Sequence, residues 1–373
     1  MRFLFTCAGT AGHINPALAI AGRLRELMPD SEFLFIGSNR EMEKRLIPAA
    51  GFRLENITIT GFSRGFKPAD IKKNLKTLKN LWVSSRECRR IFAEFKPDIA
   101  IGTGGYVCYP VLTRAAKLKI PTVIHESNAI PGLTTKMLAD KVTKILVAFP
   151  DAEGHYKDKD KLIVTGTPVR SDFAKMSKAV ARDSLHIDEK PLIVSVWGSL
   201  GAAKMNEYMA QFIKLAIKSG KFNVIHSTGG GEAGLKTMKN HLKDIGVTDI
   251  PQAIDIRPYI ENMGTVMTAA DLVLCRAGAS TIAELTNMGV PAIIVPSPNV
   301  VGNHQEKNAR ALERAGGVKM ILEKDCSGEI LYKTAEAMLS DAGAMEKMSE
   351  CSKKAGVPNS ADVIVDTILS LIN

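Results

Sequence analysis

Short apolar runs of strand length recur along this chain, each followed by a longer stretch with apolar residues at helical spacing, and that alternation leaves few folds open. In the first half the runs cover residues 2–6, 32–36, 98–101, 121–124 and 142–147. A second series covers residues 192–196, 222–226, 272–274, 292–295 and 318–321. Runs that are apolar on both faces belong to strands buried from both sides, and the helices between them supply the cover, so the pattern predicts an α/β fold with parallel sheets. The pattern occurs twice, and 373 residues exceed what one ordinary core serves, so two Rossmann-like units in tandem are expected. Residues 162–164 read as the last strand of the first unit, and Gly166-Thr167-Pro168-Val169-Arg170 as the turn that leaves it. The boundary is set near residue 166, giving domains at 1–166 and 167–357, and a final helical pattern follows Gly356-Val357-Pro358.

With 45% apolar and 24% charged residues, the chain has the composition of a folded globular protein, which excludes disorder. Six scattered cysteines without a C-x-x-C pair argue against a disulfide framework and against a zinc knuckle, and suit a reducing cytoplasm. Residues 1–5 resemble the start of a signal peptide, but Gly9, His13, Asn15 and Pro16 interrupt the apolar run too early. No apolar stretch is long enough to span a bilayer.

The net charge is +10, and residues 64–96 hold ten Lys or Arg against three Asp or Glu. Phe62, Phe66, Leu75, Leu78, Leu81, Trp82, Ile91, Phe92 and Phe95 are interleaved with them. An amphipathic helix pressed on anionic lipid headgroups fits this pattern better than a nucleic-acid surface does. A solvated basic helix with an ordinary core face fits it equally well.

The loops after the strands carry the chemistry. Cys7-Ala8-Gly9-Thr10-Ala11-Gly12-His13 follows the first strand, and Asn15-Pro16 reads as the opening of a helix. A glycine loop feeding a helix start exposes main-chain N–H groups to a phosphate or a sugar hydroxyl. The loop is neither G-x-G-x-x-G nor a P-loop. His13 at its mouth is a candidate general base, or else a histidine that orients the loop through a main-chain contact. Trp197-Gly198-Ser199-Leu200-Gly201-Ala202 repeats the design in the second half. There Ser199 and the adjoining amides could hold a diphosphate without a metal ion, or Ser199 could be a plain N-cap. Cys275-Arg276-Ala277-Gly278-Ala279-Ser280-Thr281-Ile282-Ala283-Glu284 is the densest constellation. Glu284 suits the vicinal diol of a ribose, and equally the capping box T-x-x-E formed with Thr281. Gly302-Asn303-His304-Gln305-Glu306-Lys307-Asn308 presents amide and charged groups of the kind that match sugar hydroxyls. Gly102-Thr103-Gly104-Gly105-Tyr106 and His125-Glu126-Ser127-Asn128 also follow strands. No G-x-S-x-G elbow, H-E-x-x-H or Asp-rich metal motif is present, which removes the main support for hydrolase and metalloenzyme readings.

Taken in order, Gly9-Thr10-Ala11-Gly12-His13, Gly104-Gly105-Tyr106-Val107, His125-Glu126-Ser127-Asn128, Gly166-Thr167-Pro168-Val169-Arg170, Gly198-Ser199-Leu200-Gly201, Cys275-Arg276-Ala277-Gly278-Ala279 and Gly302-Asn303-His304-Gln305 closely resemble the MurG family over nearly the whole chain. The resemblance implies a GT-B fold, two Rossmann-like parallel-sheet domains facing a cleft, with the last helix (about 358–373) returning to the first. It implies transfer of N-acetylglucosamine from UDP-N-acetylglucosamine to lipid I, giving lipid II, with inversion and no required cofactor or metal. The N-terminal domain would take the acceptor, its diphosphate cradled by the loops at Gly9, Gly104, Gly105, Tyr106 and Glu126, and the C-terminal domain the donor. Ser199 and its amides would meet the donor diphosphate, Arg170 the uridine diphosphate, Ile260 the uracil through its main chain, and Glu284 the ribose. Ala279, Ser280 and Thr281 would complete that subsite, Gln305 and Asn128 would address the sugar, and Thr10, Ala11 and Gly12 would line its side of the cleft. The family places such an enzyme peripherally on the cytoplasmic face of the bacterial plasma membrane, beside anionic lipids and other cell-wall synthesis and division proteins.

Ala8 and Ala11 replace glycines common in the family's first loop, and Leu200 stands where glutamine is frequent. A Cβ at Ala11 would strain a left-handed backbone. Rival readings are another GT-B enzyme, either a glycolipid glycosyltransferase or a UDP-N-acetylglucosamine 2-epimerase, and a non-catalytic nucleotide-sugar-binding subunit.

Overall fold

A computed structural model describes the chain except residues 62–67, 170–175, 301–302, 358 and 373; for residues 68–76, 78 and 79 only the backbone is described. Arg170, Gly302, Phe62 and Phe66, and the side chains of Leu75 and Leu78, therefore lie outside the described residues. The chain forms two compact units, Met1–Arg170 with Pro358–Asn373, and Ser171–Val357.

The first unit runs β1 (Arg2–Cys7), α1 (Ala11–Leu27), β2 (Glu32–Gly37), α2 (Glu41–Ala49), β3 (Arg53–Asn56), α3 (Pro68–Phe95), β4 (Ile99–Gly104), α4 (Cys108–Lys117), β5 (Thr122–Glu126), α5 (Leu133–Leu138), β6 (Lys144–Val147) and β7 (Leu162–Val164). The second runs α6 (Lys178–Ser184), β8 (Leu192–Val196), α7 (Ala203–Ser219), β9 (Asn223–Ser227), α8 (Gly231–Asp244), β10 (Ile254–Arg257), α9 (Met263–Ala269), β11 (Leu272–Cys275), α10 (Ala279–Met288), β12 (Ala292–Ile294), α11 (His304–Arg314), β13 (Lys319–Met320), α12 (Gly328–Leu339) and α13 (Ala342–Ala355). Then α14 (Ser360–Ser370) rejoins the first unit.

All pairings are parallel, in the orders β3-β2-β1-β4-β5-β6-β7 and β10-β9-β8-β11-β12-β13. Alternation of side chains along a strand explains the two layers of the first unit. Phe3, Phe5 and Cys7 of β1 face α1, whereas Leu4 faces the layer built by α3 and α4. Ile364, Val365 and Ile368 form one face of α14 and enter the α1 layer, and Arg23 Nε of α1 donates to Asp362 Oδ1 at 2.6 Å. The second core gathers Ile193, Phe212, Phe222 and Tyr332 under α7, α8 and α12.

The basic segment divides along α3. Ile91, Phe92 and Phe95, read from the sequence as part of a lipid-facing series, are buried in the core against α4 and β4 instead. The helical period brings them, with Cys88, onto the inner face. Trp82 lies on the other side, 61% exposed, with the Arg86 guanidinium over its ring. Among the described residues no helix is long and apolar enough to cross a membrane.

Candidate functional site

In an open parallel sheet the chain leaves a crevice where strand order reverses, beyond the carboxyl ends of the two strands concerned. Here those strands are β1 and β4 in the first unit and β8 and β11 in the second. Both glycine-rich loops singled out from the sequence follow these strands.

In the first unit α1 begins at Ala11, with Thr10 as N-cap, four residues before the expected opening at Asn15-Pro16. Ala11, Gly12 and His13 are thus the first helical turn; His13 N–H donates to Thr10 O at 3.0 Å, while the Ala11 and Gly12 N–H groups have no acceptor among the described residues. The strain expected at Ala11 does not arise, because of residues 8–13 only Gly9, at φ +97°, is left-handed. Ala8 is buried, and its N–H donates to Gly104 O at 3.2 Å.

The pairing of β1 with β4 slips by one residue between Thr6 and Cys7, leaving Thr103 as an extra residue in β4. This bulge directs Thr103 Oγ1 to His13 O, at 2.6 Å. It also sets Gly104 against the His13 ring, where a Cβ would stand 2.8 Å from Nε2. Gly105 is as constrained, since a Cβ there would meet Ala8 O at 2.5 Å.

His13 Nδ1 lies 2.8 Å from Ala8 O. A carbonyl only accepts, so Nδ1 carries the hydrogen and the neutral ring presents Nε2 as a lone pair. Nε2 has no hydrogen-bond partner among the described residues. The two sequence readings of His13 are therefore compatible: the main-chain contact is made, and it leaves the basic nitrogen available.

Glu126 at the end of β5 faces its own loop. Its carboxylate accepts from Asn128 N and Nδ2, Gly132 N and Thr135 Oγ1 at 2.7–3.1 Å. It shapes the 127–132 turn and leaves the Asn128 side-chain carbonyl oxygen without a partner among the described residues. His125 is buried and donates from Nε2 to Gly166 O at 2.8 Å; burial lowers its pKa. Tyr106 projects into solvent and packs its ring on Gly61.

In the second unit the N-cap of α7 is Ala202, which removes the reading of Ser199 as N-cap. Gly198 and Gly201 are left-handed, and Leu200 between them is exposed. Ser199 O accepts from Gly230 N at 3.1 Å, while its hydroxyl has no partner among the described residues. That bond joins the loop to a second glycine run absent from the sequence reading. Gly229, Gly230 and Gly231, at the end of β9, are all left-handed. A Cβ at Gly229 would lie 2.7 Å from Gly198 O, so the two loops touch backbone to backbone.

The capping box proposed for Thr281 and Glu284 is absent: α10 begins at Ala279 with Gly278 as N-cap, so Glu284 lies in the second turn. Its carboxylate is near Cys275, whose thiol is driven upward first by burial and then by that charge. Ser280 Oγ is buried without a partner among the described residues. Ile260 is 2% exposed, yet neither its N–H nor its C=O is hydrogen-bonded among the described residues. Buried main-chain groups are rarely left so, which suits a ligand edge. Gln305, in the first turn of α11, accepts from Ser297 N at 2.9 Å and keeps its NH₂ to donate. Arg276 is anchored by Val295 O and Glu323.

Beneath the Ser199 loop the Trp197 indole N–H donates to Ser195 Oγ, which is also bonded to His226 Nδ1. Burial lowers the His226 pKa to about 3, so the folded unit holds the ring neutral. The unfolded chain, at the ordinary value near 6.5, takes up the proton first. This stability contribution is complete above the unfolded value and is lost as pH falls toward 3, by about 1.4 kcal/mol per pH unit. Acid denaturation of His226→Gln, followed by Trp197 fluorescence, should show a flatter decline between pH 6 and 4 than the parent; equal slopes would remove His226 from that account.

The glycosyltransferase family 28 N-terminal domain matches residues 3–147, and the family 28 C-terminal domain matches residues 192–364. An Acetivibrio thermocellus protein named UDP-N-acetylglucosamine--N-acetylmuramyl-(pentapeptide) pyrophosphoryl-undecaprenol N-acetylglucosamine transferase is 42% identical, over all of this chain and 98% of its own. A Thermoanaerobacter sp. (strain X514) protein of the same name is 42% identical over the full length of both chains. The crystal structure of Acinetobacter baumannii MurG superposes with a TM-score of 0.74 at 27% identity, covering 99% of each chain. With both halves matched and relatives aligned end to end, the chain belongs to glycosyltransferase family 28 and, within it, to the MurG family of N-acetylglucosamine transferases.

Proposed function

We propose that this chain transfers N-acetylglucosamine from UDP-N-acetylglucosamine to the C4 hydroxyl of N-acetylmuramyl-(pentapeptide)-diphospho-undecaprenol, lipid I to lipid II, with inversion at the anomeric carbon. The C4 oxygen forms the new bond to C1 as the bond from C1 to the UDP oxygen breaks, and UDP leaves with that electron pair. His13 Nε2 takes the hydroxyl proton. The observation that carries this reading is the His13 Nδ1 contact with Ala8 O, which fixes the tautomer a general base requires.

Negative charge grows on the departing diphosphate, so fixed donors are needed where it appears. The open Ser199 hydroxyl and the adjoining main-chain N–H groups are suited to this, and the family resemblance assigns Arg170 to the same diphosphate. The reading needs no cofactor. The unpaired main chain of Ile260 takes the uracil edge, Glu284 the ribose, and the Ala279–Thr281 turn completes that subsite. Gln305 and Asn128, each with one amide group committed and one open, are assigned to the N-acetylglucosamine.

The test is a radiolabelled transfer assay from UDP-N-acetylglucosamine to a lipid I analogue, with other UDP-sugars and acceptors as controls. Labelled lipid product specific to this pair is expected. Labelled UDP-sugar epimerised at C2, formed without acceptor, would sink the reading in favour of an epimerase.

The same proposal places the protein peripherally on the cytoplasmic face of the plasma membrane through the 64–96 segment, with exposed Trp82 beside Arg86 as an interfacial anchor. Co-sedimentation with vesicles containing anionic lipid should fall several-fold as salt shortens the Debye length from about 10 Å at 0.1 M to about 3 Å at 1 M. Binding that ignores salt and lipid charge would exclude the electrostatic component.

A further inference from the structure

Glu43, near the start of α2, is a fully buried carboxylate far in sequence from any loop discussed above. Its Oε1 accepts from Gly9 N at 3.0 Å and from Ser38 Oγ at 3.0 Å, and its Oε2 accepts from Ser38 N. Gly37 makes the room: a Cβ there would stand 2.7 Å from Oε2. The Gly9 N–H belongs to the same peptide unit as the Ala8 carbonyl, and that carbonyl accepts the His13 Nδ1 hydrogen at 2.8 Å. One peptide thus stands between a buried carboxylate and the imidazole, with its N–H toward the charge and its oxygen toward the ring.

From this geometry we infer that Glu43 is a positioning residue for sugar transfer, orienting and polarising His13 through the Ala8–Gly9 peptide. The inference rests on the assignment of His13 as the base. A carboxylate drawing on the N–H raises the partial negative charge on the carbonyl oxygen, because the peptide is conjugated. The hydrogen bond to Nδ1 strengthens, most of all when Nε2 has taken the acceptor proton and the ring is an imidazolium. The carboxylate of a hydrolase triad acts in the same sense by direct contact; here a peptide carries the effect. Gly104 and Gly105 hold the assembly in place, one against the ring and the other against Ala8 O.

The other charged or titratable groups around it are few. Arg40 reaches from the β2–α2 turn to within 3.7 Å of where a Gly9 Cβ would be. Cys7 and Cys108 are buried thiols whose pKa values burial pushes up, so both stay neutral. Tyr106 lies two residues beyond Gly104.

Glu43→Gln keeps an acceptor for Gly9 and removes the charge. Turnover should fall about tenfold or more, with UDP affinity by calorimetry unchanged. The His13 titration, followed by NMR of imidazole nitrogens, should move to lower pH by about half a unit or more, and the acid limb of the kcat/KM profile should move with it. Lowered turnover with an unmoved His13 titration would reduce Glu43 to a structural support and overturn the inference, as would no change in either. If Glu43→Gln does not fold, Glu43→Asp is read the same way: it retains the charge but withdraws it from Gly9, so the same two readouts should move in the same sense. A titration that moves in Glu43→Gln while His13→Ala keeps full turnover would show the coupling of Glu43 to the ring but remove His13 as base, and with it the role of Glu43 in sugar transfer, so the two failures are distinguishable.

Discussion

His13→Ala is expected to lower the rate of sugar transfer by about a hundred- to ten-thousand-fold, the usual worth of a positioned general base, while leaving UDP affinity unchanged. The separation follows from placement. His13 belongs to the first unit and meets Ala8, Thr103 and Gly104 there, whereas the groups assigned to UDP, Arg170 apart, lie in the second unit. Removing the imidazole leaves the Thr103 bond in place, because that bond is made to the His13 carbonyl, and Gly9 sets the backbone path. Steady-state kinetics with a lipid I analogue, paired with calorimetric UDP titration, reads both quantities. Unchanged turnover would take His13 out of the mechanism; a parallel loss of UDP affinity would show that it acts on the donor.

The features most legible in the sequence were those buried on both faces. β1 and β8 read as mainly apolar runs because helices cover both sides of them. The edge strands β3, Arg53-Leu54-Glu55-Asn56, and β10, Ile254-Asp255-Ile256-Arg257, were not legible, because their partial exposure admits charged residues that break the run. One helix start, at Asn15-Pro16, and one of the two readings of Glu284, the capping box, differ from the structure for a shared reason. Thr10 and Gly278, the actual N-caps, make no side-chain capping bond, and the stronger-looking local signals lie further along, at Asn15-Pro16 and Thr281-x-x-Glu284. Glu43 sits in Glu41-Met42-Glu43-Lys44-Arg45, which reads as a solvated helix surface; only the fold reveals that its carboxylate turns in to Gly9, 34 residues away. The Gly229–Gly231 run was visible as composition, but its meaning depends on the loop that it touches. Spacing within one segment cannot report a contact between two.

That contact makes the strongest prediction for the donor loops. Gly229 and Gly231 have nearly the same φ, +65° and +64°, and an alanine at either position incurs the left-handed penalty of roughly 1–2 kcal/mol. They differ in their surroundings. Around Gly231 a Cβ would find nothing within 4 Å, whereas at Gly229 it would run into the backbone of Gly201 and lie 2.7 Å from Gly198 O. Backbone cannot give way as a side-chain tip does, so Gly229→Ala adds about 1–3 kcal/mol of overpacking. It does so by separating the 198–201 loop from the 229–231 loop. Because the Ser199 amides are the proposed seat of the diphosphate, the displacement should appear chiefly as lost UDP affinity, about tenfold or more by calorimetry. Gly231→Ala should bind UDP nearly as the parent does and show only a modest fall in Tm. Gly201→Ala, whose Cβ would strike Thr228 O from the opposite side, should match Gly229→Ala. If all three variants bind UDP alike, the docking of the two glycine loops does not set the donor site, and the diphosphate must be held by other groups.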